Sequence, residues 1–169
     1  MYKIGDNIVY GASGVMTIVD IREDSVTGEP KNYYILCEYG RANSSLTFVP
    51  MDNEKLTQAM HPVLSREEAL FAVVRAGSLP DVDWVPDGRA RTEKYKSILR
   101  NADRSEILAM IRTIYNTGLS RAAIGKKNFL ADENVMNKAE GIIAQEFSIS
   151  LGISELEVKE IINQRIKGI

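Results

Sequence analysis

The apolar positions of this 169-residue chain change their period once, near residue 54. Before that point they cluster in four short runs, NIVYG, GVMTIVDIR, NYYILCEY and SSLTFVP. These are rich in Val, Ile, Tyr and Thr, the residues that suit a pleated, half-buried surface. Ala12, Ser13 and Gly14 between the first two runs signal a hairpin, DSVTGEP at 24–30 makes the next loop, and a turn centred on Gly40 precedes the fourth run. Pro50 ends that run, because proline cannot donate to a ladder. The pattern predicts a small antiparallel, barrel-like sheet, whose core is marginal at this size.

Beyond residue 54 the period becomes 3.6. SREEALFAVVRAG carries a capping box, Ser65 with Glu68, then Leu70, Phe71 and Val74 on one face and Gly77 at the C′ position. DRSEILAMIRTIYNTG opens on Asp103 and Glu106, shows the stripe Ile107, Leu108, Ile111, Ile114 and Tyr115, and is expected to end at Gly118. A longer helix opens at Asp132, carries Val135, Met136, Ala139, Ile142, Ile143 and Phe147, and stops near Gly152. Ser154 and Glu157 cap a last helix with Val158, Ile161, Ile162 and Ile166. A further helix from about Asp87 would turn Tyr95, Ile98 and Leu99 inward and leave Arg89, Lys96 and Arg100 near one outer flank. The expectation is an α+β protein: a sheet module over 1–53, a connection over 54–63, and an all-helical module over 64–169.

Composition excludes several classes. No apolar run reaches the roughly 18 residues of a membrane span, and the opening MYKIGDNIVYG has no signal-peptide core, so a cytoplasmic protein is expected. A single cysteine, Cys37, rules out an intrachain disulfide and a cysteine-based zinc site. His61, the only histidine, lies beside Pro62 with no second ligand or relay partner in its pattern. No phosphate-binding glycine motif exists; YGASGV precedes a strand and reads as a turn. A non-catalytic protein without cofactor, metal or small-molecule substrate is expected.

Net charge is −2, yet its distribution is uneven. Residues 88–104 carry six Arg or Lys against Glu93 and Asp103, and 120–127 add Arg121, Lys126 and Lys127 with no acid. One face is therefore expected to be electropositive. The only tryptophan, Trp84, stands at the mouth of this stretch in VDWVPDGRARTEKYK. A lone tryptophan ordinarily packs in a core, but one beside a Val-Pro turn is hard to bury in regular structure.

These segments together resemble the CarD-like (CdnL-type) bacterial transcription regulators, which bind RNA polymerase. YKIGDNIVYGASGVMTIVDI is similar to that family's opening, GEPKNYYIL and LTFVP to its next strands, and DVDWVPDGRAR, ILRNADRSEILAMIRTIY and LADENVMNKAEGIIAQEFSISLGIS to its helical half, in order. The sequence departs from the family at Gly11 and Ser13, where a Pro and a His are usual, and at Asp24 and Phe48, where some members have arginines. Val85, Pro86 and Asp87 stand where some members have basic residues.

The resemblance implies a Tudor-like first module that docks on the polymerase β subunit by strand pairing, through Leu46, Thr47, Phe48, Val49 and Pro50. Such pairing draws affinity from main-chain hydrogen bonds. Exposed edges are normally blunted by charge, and SSLTFVP has none; read without the resemblance, an edge covered within the chain is the favoured reading, and the resemblance reverses it. The resemblance further implies that Trp84 wedges into the DNA minor groove at the upstream edge of the melted promoter bubble, where unstacked base pairs leave a gap. Arg89, Arg91, Lys94, Lys96, Arg100, Arg121 and Lys126 would hold phosphates without reading sequence. A monomeric regulator that stabilises the open complex is expected. The alternative is an interaction adaptor that uses the sheet edge, does not bind DNA, and packs Trp84 between its modules.

Overall fold

The computed structural model describes residues 1–26, 28–41 and 44–168. Thr27 of the DSVTGEP loop therefore lies outside the described residues. The chain divides into two compact units, Met1–Val63 and Leu64–Ile169.

The first unit is a five-stranded antiparallel sheet: β1 (Asn7–Tyr10), β2 (Val15–Asp24), β3 (Lys31–Glu38), β4 (Thr47–Pro50) and β5 (Met60–Pro62), in the order β4-β3-β2-β1-β5. The expected barrel-like closure is corrected here: β4 and β5 stand at opposite ends of an open sheet and do not pair. Closure would need those two edges to meet, and they offer only four and three residues. Between β1 and β2, Gly14 takes φ 83°, which a side chain would oppose. A bulge between Ile18 and Asp20 shifts the β2–β3 register and leaves Val19 40% exposed. Ile8, Met16, Ile18, Tyr34, Leu36, Val49 and Met60 form the core of this unit. Cys37 is buried in β3.

Residues 54–63, read from the sequence as a connection, hold a helical turn and a strand. Asn53 caps α1 (Glu54–Thr57) by accepting from the Leu56 amide, and β5 then pairs with β1, His61 opposite Val9. The Tyr2 hydroxyl donates to the Met60 carbonyl at 2.8 Å, fastening the same strand from the other end of the unit.

The second unit contains α2 (Arg66–Arg75), α3 (Gly88–Asn101), α4 (Arg104–Ala122), α5 (Leu130–Leu151) and α6 (Glu155–Lys167). Four of its five starts follow the sequence signals: capping boxes at Ser65–Glu68 and Ser154–Glu157, and carboxylate caps at Asp87 and Asp103. The fifth does not, since α5 starts at Leu130 rather than at Asp132, behind Phe129, which makes no side-chain cap. Two further features differ from expectation. On α2, Leu70, Phe71 and Val74 are 45%, 62% and 64% exposed, while Ala69, Val73 and the following Ala76 are buried. The small-residue face wins because it permits close approach; a Cβ on Gly77 would lie 2.7 Å from the Arg165 carbonyl oxygen of α6. Gly118 does not end α4 but lies inside it, where a Cβ would meet the Asn128 side chain at 2.7 Å.

A buried ion pair ties the start of this unit to its middle. Glu146 is 1% exposed and accepts the Leu64 amide at 3.0 Å and the Arg104 guanidinium from Nε at 3.1 and 2.9 Å and from Nη2 at 2.6 Å. Arg104 also donates to the Ala102 carbonyl at 2.6 Å, and Ala102, in the left-handed region at φ 51°, makes the corner between α3 and α4. No helix of the described residues is long and apolar enough to cross a membrane.

Candidate functional site

Two surfaces carry the residues singled out from the sequence, one on each unit. On the sheet, among the described residues, β4 pairs with β3 on one side only, Thr47 opposite Leu36, Phe48 opposite Ile35 and Val49 opposite Tyr34. Val49 is buried, Thr47, Phe48 and Pro50 are half-buried, and Leu46 is 50% exposed. The Phe48 ring meets Tyr33 edge-on at 6.1 Å, so its side chain is fixed along the strand. At the far end of β2, Asp24 is engaged by Arg22 of its own strand at 3.4 Å.

On the helical unit, Trp84 lies in the loop over 79–87 and is 37% exposed. Side chains from α3 and α4 tie that loop down almost residue by residue. Arg112 donates to the carbonyls of Gly77 and Leu79 and to the Asp81 carboxylate. Thr113 accepts from the Val82 amide at 2.9 Å, and Lys94 donates to the Asp83 carbonyl at 3.0 Å. Arg91 donates to the carbonyls of Val85 and Pro86 at 2.8 and 3.1 Å. One side of the loop opens on a groove of about 580 Å³ lined by Asn116, Thr117 and Ser120 of α4, so the indole is not sealed among apolar groups.

The candidate cations separate into two groups. Arg89, Lys96, Arg100 and Lys126 are exposed, Lys96 with Glu93 at 2.9 Å and the others without an ion pair among the described residues. Arg91 departs from the sequence expectation: it is 2% exposed, and its Nε bonds both carboxylate oxygens of Asp132 at 3.1 and 3.0 Å. Its charge faces inward because the polar groups of the Trp84 loop surround it. The guanidinium carbon lies 4.1 Å from the Trp84 ring centroid and 4.6 Å from that of Phe129, distances of cation–π contact. Arg121 is likewise committed, 3.9 Å from the Phe129 centroid and donating to the Lys127 carbonyl at 2.8 Å. Lys94 is half-buried on the Asp83 backbone.

Four supporting residues escaped the sequence reading. Phe129 stands 6.0 Å from Trp84, ring to ring, and Asp132, Arg112 and Thr113 supply the bonds described above. Asp132 reads locally as an ordinary acidic residue of a first helical turn; nothing in its neighbourhood announces an arginine 41 positions away. Beside it, the buried Tyr95 hydroxyl has no hydrogen-bond partner among the described residues, and burial, then the Asp132 charge, pushes its pKa up to about 12. Among the described residues no group of three or more His, Cys, Asp or Glu is placed to hold a metal ion.

Residues 2–64 match the family model of the CarD-like/TRCF RID domain. The match spans the sheet unit and stops at the start of the helical one. CarD-like proteins are a non-enzymatic family that binds RNA polymerase. The sheet unit is therefore similar to an RNA polymerase-interacting domain of the CarD-like/TRCF kind.

Proposed function

We propose that this protein docks as a monomer on the β subunit of RNA polymerase through the free edge of β4, and that it stabilises the promoter open complex with Trp84. The indole enters the minor groove at the upstream edge of the bubble and fills the gap left by unstacked base pairs. Arg89, Lys96, Arg100 and Lys126 hold phosphates and fix register without reading bases.

The observation that carries this reading is the state of Trp84: partly exposed, yet bound on a loop whose backbone is held by four side chains. An aromatic held so firmly loses little freedom when it inserts, which favours a wedge over a passive surface residue. Few free cations stand near it, so DNA affinity without polymerase is weak and salt-sensitive. Promoter choice then comes from polymerase placement.

A factor that touches the open state better than the closed one shifts the equilibrium by that difference alone. A wedge and a few phosphate contacts supply ~1–2 kcal/mol, a five- to thirty-fold shift of roughly the usual coupling size. The test is the heparin-challenged lifetime of an open promoter complex, with wild type, with Trp84→Ala and without protein. Trp84→Ala is expected to return the lifetime close to the protein-free value. Equal lifetimes for wild type and mutant would refute the wedge.

A further inference from the structure

A charged pair buried as deeply as Arg91 and Asp132 gains little stability over an apolar pair of similar volume, because both ions lose their water. Its other bonds say what it does instead. Among the described residues, the other hydrogen bonds and ring contacts of the Arg91 guanidinium are to Trp84's own loop or to the paired rings: the Val85 and Pro86 carbonyls, the Trp84 face and the Phe129 face. Among the described residues the Asp132 carboxylate bonds only Arg91, and the neighbouring Tyr95 hydroxyl makes no hydrogen bond to it.

We infer that Arg91, Asp132 and Phe129 are positioning residues that set the pose of the Trp84 indole. Asp132, in the first turn of α5, orients the guanidinium through Nε. The guanidinium grips the two carbonyls that follow Trp84 and presents its flat face to the ring, while Phe129 closes the side. Lysine at 91 would keep the charge but lose both the fork and the flat face. The consequence for transcription rests on the wedge reading above; the pose of the ring does not.

The test uses full-length Arg91→Lys, Asp132→Asn and Phe129→Leu, with two readouts. Iodide quenching of the single tryptophan is expected to rise about twofold in each variant as the ring loosens, with far-UV circular dichroism and polymerase capture unchanged. Open-complex lifetime is expected to fall about threefold with Arg91→Lys in the wild-type background, and not at all in a Trp84→Ala background, since residues that act through one another are non-additive. Equal losses in both backgrounds, with the salt slope reduced by about 0.9, would make Arg91 a direct phosphate ligand and overturn the inference. Unchanged quenching in all three variants would overturn it too. If Arg91→Lys or Asp132→Asn fails to fold, Phe129→Leu decides, because it removes no buried charge; quenching as in wild type then counts against the inference. If Trp84→Ala leaves the lifetime unaltered, the wedge reading fails, and the quenching result still decides the pose.

Discussion

The β4 edge and the Trp84 loop are built from opposite materials. The edge is main chain: a four-residue strand without a charge, one side bonded to β3 and the other side free in the sheet order. The loop is side chain: Arg91, Lys94, Arg112 and Thr113 reach from two helices to hold carbonyls and amides that no regular structure would satisfy. Backbone recognition tolerates most substitutions and fails when a charge or a blocked amide meets the edge. A surface held by buried side chains is brittle in the other sense, because one lost partner strands a charge.

The largest break in that comparison is expected from Glu146→Ala. It removes the carboxylate that pairs with Arg104 and accepts the Leu64 amide, and should cost about 3–5 kcal/mol in a urea titration. A loss below about 1 kcal/mol would mean that water replaces the carboxylate. Next comes Phe48→Arg on the sheet. Polymerase capture is expected to weaken by more than about tenfold, as a charge placed on an edge blocks pairing, while the helical unit keeps its melting behaviour. Capture at wild-type strength would move docking away from β4.

The smallest effect is at Tyr95. Tyr95→Phe removes a buried hydroxyl that has no partner, so stability is expected to stay within about 1 kcal/mol of wild type or to rise. Its pH dependence has a definite sign. The folded chain holds this hydroxyl protonated up to about 12, whereas an unfolded tyrosine ionises near 10. Folding stability is therefore unaffected by this group below about pH 10 and falls as pH climbs from there towards 12. Denaturation curves across that window should be steeper in pH for wild type than for Tyr95→Phe; parallel curves would show that the phenol ionises freely.

Much of the architecture is legible locally. The caps at Ser65, Asp87, Asp103 and Ser154 lie where a short polar residue precedes an apolar period, and each closes on the amide three residues on. The misreadings share a cause, which is that tertiary packing chose between local options. On α2 two faces are apolar, and packing on α5 and the close approach of α6 at Gly77 favour the smaller one. Gly118 looks like a helix end until Asn128 is seen to need its space. Met60, His61 and Pro62 have too few residues to show alternation, so β5 becomes visible only through its pairing with β1. At the candidate site, Trp84 and its exposed cations are sequence features, whereas the inward turn of Arg91 depends on a carboxylate supplied from another helix.

The Arg91–Asp132 bond joins positions 41 apart in the chain, and this has a bearing on how the protein is made. A nascent polypeptide that has left the ribosome as far as α3 already carries the indole but not the helix that brackets it. Local helices form in about a microsecond, whereas synthesis adds on the order of ten residues per second, so seconds pass between the two. During that interval the ring is attached but unaimed. The Arg91–Asp132 bond beside this loop therefore forms late, when the second half of the helical unit closes on the first.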